Sequence, residues 1–284
     1  MGRSEVQQLE GPPRELRFRR PLRVGPAVRE FWRARELVLA LAERDLRVRY
    51  KQAVLGFAWA VVTPLALMVA FTLFFNRVAQ VDTGGVPYPL FSYLGLIPWM
   101  FFSTSVSVGG QSLVTNMGLL NKVYCPREAF PAASVLVAGF DSAVSAGVLG
   151  ILFAVTGYAP RLTSFWVPLL LAVQVAFTVG VTLLVSAVVV YLRDLRHALP
   201  IVLQLGLFAT PVAYGTEVVP ASVRAAYAAV NPLAPVIEGY RRAVLLGLSP
   251  DWGLLWPGAL SAAAVLVVGY VLFKRLEVGL ADVA

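Results

Sequence analysis

The sequence predicts an all-α integral membrane protein with six transmembrane helices, an N-terminal amphipathic interface helix and two short outer helices before the last span. Three observations predict it. Six stretches near 53–75, 90–112, 132–155, 165–191, 198–214 and 254–273 are apolar and almost free of charge, and about 20 such residues cross a hydrocarbon core of about 30 Å. Charged residues make up 14% of the chain and hydrophobic ones 58%, whereas soluble domains carry about 25% charged residues. The cations also sort to one side. With the N-terminus inside, 19 of the 24 Lys and Arg fall on the cytoplasmic side and 5 outside, so the positive-inside rule puts both termini in the cytoplasm and the protein in the cytoplasmic membrane.

Residues 1–27 are rich in Arg, Glu, Pro and Gly and hold too few apolar residues to bury a core, which predicts a flexible cytoplasmic tail. No apolar stretch followed by a small-residue cleavage site precedes the first span, so that span is expected to act as its own insertion signal. Residues 28–52 follow as the interface helix. Between Val28 and Lys51 no proline or glycine occurs, and Leu39, Ala42, Leu46 and Tyr50 recur at helical spacing with Arg44, Arg47 and Lys51 on another side. The transmembrane domain is expected over 53–275, with a short cytoplasmic tail over 276–284.

Within that domain, Asp82-Thr83-Gly84-Gly85-Val86-Pro87 reads as an outer turn, 117–131 as a basic inner connection, and Arg193-Asp194-Leu195-Arg196-His197 as a brief inner loop. The segment from Glu217 to Trp252 is expected to hold two short outer helices, 221–230 and 236–246. Each has Pro at its start and the second has Gly247 after its end. Neither is long enough to cross a bilayer alone. Tyr and Trp residues cluster near the outer boundaries, as an interfacial belt requires.

Composition and motifs exclude much. The net charge is +8, and residues 1–51 carry 13 basic against 7 acidic side chains, a pattern that fits anionic membrane lipid better than nucleic acid. Cys125 and His197 are each the only residue of their kind, so no disulfide, thiolate cluster or imidazole metal site is expected. None of the three lysines lies in a Gly-x-x-x-x-Gly-Lys-Ser/Thr loop, so ATP must be handled elsewhere. The patterns His-Glu-x-x-His and Gly-x-Ser-x-Gly are absent, which removes the main supports of hydrolase readings. Asp141 is the only acidic residue well inside a span, at an insertion cost of about 2.5–3.5 kcal/mol, and is expected to face protein or a cavity.

The run Glu43-Arg44-Asp45-Leu46-Arg47-Val48-Arg49-Tyr50-Lys51, followed by Leu55-Gly56, Trp59 and Pro64, resembles the entry to permeases of type-2 ATP-binding cassette exporters, in the polysaccharide and polyol phosphate branch. Further fragments follow in order: Gly95-Leu96-Ile97-Pro98-Trp99 with Phe101-Phe102; Asn116 through Pro131; Tyr191-Leu192-Arg193-Asp194-Leu195; Thr210-Pro211-Val212-Ala213-Tyr214; and Asn231-Pro232 with Arg241. The likeness spans about residues 36–275. Tyr124-Cys125-Pro126 departs from it, since similar permeases often carry Phe directly before the proline.

The resemblance implies a homodimeric permease, not itself an enzyme, that binds no cofactor and works with two copies of a separate ATPase carrying ATP and Mg. Its substrate would be a lipid-linked glycan such as O-antigen or a teichoic acid polymer. Leu119, Leu120, Lys122, Val123, Tyr124 and Arg127 are the expected ATPase-coupling contact. Tyr50, Phe57, Trp59, Phe71, Trp99, Phe101, Phe102 and Asp141 are candidates for the channel lining, because sugar rings offer apolar C–H faces as well as hydroxyls. Glu217, Glu238, Arg241 and Arg242 are candidates for guiding the glycan or a lipid headgroup at the outer side. The alternatives are an exporter of the same architecture for a small lipid or drug, an ion-coupled secondary transporter, and a membrane glycan-modifying enzyme.

Overall fold

The computed structural model describes residues 32–51, 58–76, 83–120 and 125–277. Among these every regular element is helical. Helix α1 spans Arg35–Lys51. Helix α2, Trp59–Phe71, runs on through a wider turn at Thr72–Asn76. Helix α3 (Tyr88–Thr115) and the short α4 (Met117–Leu120) precede α5 (Ala129–Thr156). A tight turn at Leu162–Trp166 leads into α6 (Val167–Tyr191), and α7 is Leu195–Ala209. Two short helices, α8 (Arg224–Val230) and α9 (Leu233–Tyr240), come before α10 (Trp252–Glu277). After α9 the chain widens through Arg241–Leu246 and stops at Gly247, whose φ of 74° suits a residue without a side chain.

Among the described residues four helices are long and apolar enough to cross a membrane: α3, α5, α6 with its leading turn, and α10. The segments expected to be the first and fifth spans are shorter. The described part of the first covers Trp59–Phe75. Helix α7 has 15 residues, a length of about 22 Å, below the thickness of the hydrocarbon core. It ends at Thr210, whose backbone is extended, and Pro211 offers no N–H to continue the ladder, so a link of turns follows.

Helix α3 is the centre of the bundle, packing against α2, α5, α6 and α9. Helices α6 and α10 meet backbone to backbone. A Cβ on Gly180 would lie 2.7 Å from the Leu266 backbone, and one on Gly269 would collide with the Gly180 carbonyl. Small residues at such crossings give the close packing that drives association in lipid, where no water is left to expel. Helix α1 buries Val38, Leu41 and Ala42 against α5, whereas Leu39 is exposed. The buried stripe therefore lies beside the one that the sequence spacing suggested, because a protein neighbour, α5, orients α1.

The end of the bundle opposite α1 is held by Arg241, which is 1% exposed. Its guanidinium donates to the carbonyls of Phe91, Pro211, Val212 and Tyr214 at 3.3, 2.8, 2.5 and 2.8 Å, and its carbon lies 3.7 Å from the centre of the Phe91 ring. Gly95 leaves room for it: a Cβ there would sit 2.7 Å from Arg241 Nη2 and 2.8 Å from the Val212 oxygen.

Replacing Arg241 with Met would strip a charged donor from four buried carbonyls and should cost at least about 3 kcal/mol. Gly95→Ala should cost about 1–3 kcal/mol by overpacking the same place. Thermal unfolding of the detergent-solubilised protein measures both. An Arg241→Met protein as stable as wild type would remove the guanidinium from its structural role.

Candidate functional site

A polar cavity of about 300 Å³ lies between α1, α2, α3 and α5. The arrangement depends on α1, whose last turn brings Arg49 and Tyr50 to the Asp141 carboxylate of α5. Arg49 Nη1 is 2.7 Å from Asp141 Oδ2, and the Tyr50 hydroxyl donates to Oδ1 at 2.5 Å. Burial, with the neighbouring carboxylate, pushes the Tyr50 phenol up to about 12, so it remains a donor through the physiological range. Thr63, Thr104, Ser142 and Ser145 add hydroxyls to the lining, and Trp59, 53% exposed, adds an indole. The cost of carrying Asp141 within α5 is offset by a cation and a phenol from a helix some 90 residues away in sequence. A carboxylate with these partners differs from the lone mid-membrane charge expected of an ion-coupled carrier.

The cavity gathers Tyr50, Trp59 and Asp141 from the candidate lining residues, together with Arg49, which spacing alone did not single out. Phe57 lies outside the described residues. The other aromatics are packed inside the helical bundle. Phe71 meets Phe75 edge-on at 5.6 Å, and Phe102 stacks on Phe177 at 5.4 Å. Phe101 packs with Val135 and Ala138. Trp99 lies so close to Gly206 of α7 that a Cβ there would be 2.8 Å from its Cη2.

At the α1 end, the connection between α3 and α5 is tied down on both arms. Arg44 donates to Asn116 Oδ1 at 2.9 Å, linking α1 to the first arm. Leu119 and Leu120 pack partly buried against the apolar cluster that α1 shares with α5, α6 and α10. On the second arm, Lys274 of α10 is 2.7 Å from Glu128 and 2.9 Å from Glu277, and Arg127 donates to the Glu277 carbonyl. Lys122, Val123 and Tyr124 lie outside the described residues. Glu128 and Lys274 were not legible as partners, since 146 positions separate them and Lys274 reads as an ordinary cation at a span end.

At the opposite end the four candidates separate. Arg241 is an interior strut, which differs from a residue facing an outer headgroup. Glu238 is 7% exposed, Glu217 is exposed, and Arg242 donates to the Ser249 carbonyl at 2.9 Å near the surface. Desolvation raises the Glu238 carboxyl, and the neighbouring Arg241 opposes the shift.

Three of the separated motif fragments meet here, those that hold Gly95, 210–214 and Asn231 with Arg241. Asn231 donates to Thr210 Oγ1 at 2.9 Å, Tyr227 to the Ala209 carbonyl at 2.7 Å and Tyr88 to the Ala213 carbonyl at 2.8 Å, around the contact of Gly95 with Arg241.

Residues 36–245 match the family model described as ABC-2 type transporter, and the chain belongs to that family. It is therefore a multi-pass membrane protein, and membership implies an ATP-binding partner subunit. It is 31% identical over 242 residues to the O-antigen export system permease protein RfbA of Myxococcus xanthus, covering 85% of this chain and 92% of that protein. A Klebsiella pneumoniae protein of the same name is 28% identical over 251 residues, 87% of this chain and 95% of its own length. The polysialic acid transport protein KpsM of Escherichia coli is 24% identical over 241 residues, 84% and 93% of the two chains.

Arg49→Met and Asp141→Asn should not be additive. Their coupling in a double-mutant thermal unfolding cycle is expected to be about 1 kcal/mol, because the pair is partly open to solvent. Strict additivity would mean that α1 is held by its apolar stripe alone.

Proposed function

We propose that this chain is the permease subunit of an ATP-driven exporter that moves a lipid-linked polysaccharide or related cell-envelope glycopolymer outward across the cytoplasmic membrane. The observation that carries the reading is similarity, along more than four fifths of the chain, to permeases named for O-antigen export and a protein named for polysialic acid transport. The cavity chemistry supports it. Hydroxyls, a carboxylate and an exposed indole suit a sugar, which offers hydrogen-bonding groups and apolar ring faces.

In this reading α2 and α7 are the first and fifth of six spans. Helix α7 is completed by the link 210–214, tolerated at membrane depth because Arg241 and its neighbours satisfy the freed carbonyls. Both termini and the 116–131 connection face the cytoplasm, and that connection docks on a separate ATPase. Two permeases form the channel with two ATPases. The exposed apolar faces of α2 (Val62, Val69, Leu73 with the following turn) and α7 (Ile201, Val202, Leu205, Phe208) support a second copy as the neighbour. ATP binding draws the ATPases together and biases the channel between closed and open states.

Deleting the gene should leave lipid-linked glycan in the cytoplasmic leaflet, and extraction of that lipid fraction identifies the polymer. The purified permease should hydrolyse no ATP and should copurify with the ATPase in equal amounts. Leu120→Glu combined with Tyr124→Glu should detach the ATPase or uncouple it while leaving insertion intact. Normal surface glycan in the deletion strain would overturn the export reading. Labelling of a cysteine placed at 122 from the outer side would overturn the topology.

A further inference from the structure

Helices α5 and α10 barely touch along their lengths. An apolar groove of about 340 Å³, floored by α6, separates them, with Val135 on one wall, Leu266 and Val271 on the other and Val179 beneath. At the foot of the groove a cluster of charges links them. There Lys274 Nζ lies 2.7 Å from Glu128 Oε1 and 2.9 Å from Glu277 Oε2, and Arg127 donates to the Glu277 carbonyl. The side chains of Glu128 and Lys274 are 4% and 14% exposed. Ion pairs this enclosed lose much to desolvation, so apolar residues of similar size would hold two helices together at least as well. What the charges add is a fixed register between the loop arm and the end of α10.

Helix α10 then carries that register to the other end of the molecule. It is rigidly meshed with α6 through Gly180 and Gly269, and near its start it packs on α8 and α9. The meeting is tight: a Cβ on Gly258 would lie 2.6 Å from Pro235 of α9. A displacement of the 125–128 arm therefore has a direct mechanical route to the short helices, through one ion-pair joint and one helix.

We infer that the Glu128–Lys274–Glu277 joint is a positioning device for transport, transmitting movement of the 116–131 connection through α10 to α8 and α9 at the far end. The inference rests on the reading of that connection as the ATPase contact. Arg44 with Asn116 ties the other arm to α1, so the two arms drive different parts of the bundle. Glu128 and Lys274 act as one unit downstream of ATPase docking.

The test uses the assembled transporter, permease with its ATPase, carrying Glu128→Gln, Lys274→Gln or both, and Lys274→Arg. ATPase recovery, ATP hydrolysis and export in a deletion strain are measured together and normalised to inserted permease. Each Gln variant should retain the ATPase and its hydrolysis yet export about tenfold less, within the usual range of coupling between sites. The double variant should export no less than either single one, because one joint breaks once. Lys274→Arg should keep at least about half of wild-type export, since charge and donor remain. Unchanged export in the Gln variants, or losses that multiply in the double variant, would overturn the proposal. Loss of the ATPase would instead place the pair in docking, and failure to reach the membrane would reduce it to folding. Either result defeats the inference. The underlying loop reading fails separately, if the Leu120→Glu and Tyr124→Glu double variant keeps both its ATPase and its export.

Discussion

Backbone carbonyls freed within apolar surroundings must find donors, and the break after α7 frees several at once. Arg241 answers that constraint with one guanidinium shared among Pro211, Val212 and Tyr214, and its Nε also donates to Phe91 of α3. A rigid planar fork with five N–H groups serves several acceptors where a lysine ammonium would serve fewer. Much else at that end follows. Gly95 must lack a side chain for the guanidinium to enter. Asn231, Tyr227 and Tyr88 satisfy the rest of the link, and α9 is fixed against α3 by the same residue that begins its final turns. The family fragments that hold Gly95, 210–214 and 231–241 are thus one structural solution seen in pieces.

The opposite end obeys a different economy. Its polar contacts run across long sequence separations, the ion pairs of Arg49 with Asp141 and Lys274 with Glu128 and the hydrogen bond from Arg44 to Asn116. Each contact attaches a peripheral element to the bundle at a defined register. Apolar packing of Val38, Leu41 and Ala42 and these polar contacts together hold α1. Polar anchoring at one end and close glycine packing through the middle leave the short helix α8 resting mainly on α10, while α9 is shared among α3, α6 and α10.

Much of the site was legible only as residue types. The cost of an acidic side chain within a span marked Asp141, and its partner on α1 was invisible because it comes from outside the spans. The aromatics read as one set from the sequence, but the structure divides them. Trp59 borders the cavity, while Trp99, Phe101 and Phe102 pack inside, because helical direction and not residue type decides which face a ring takes. Arg241 read as a polar residue of an outer segment. Nothing local distinguishes it from Arg242, and only the placement of 210–214 over it does.

By itself the sequence determined the class of the protein. Long apolar stretches have one way to satisfy their backbone in lipid, the helix, and that outcome depends on local composition alone. The same local chemistry marked the stop at Gly247, whereas the short helices begin at Arg224 and Leu233 and not at the expected 221 and 236, with Pro235 inside the second helix. Tertiary structure decided the rest: which stripe of α1 is buried, which carboxylate meets which cation, and where a 15-residue helix is allowed to end. These are contacts between residues tens to more than a hundred positions apart, and their energies exist only once the helices have met.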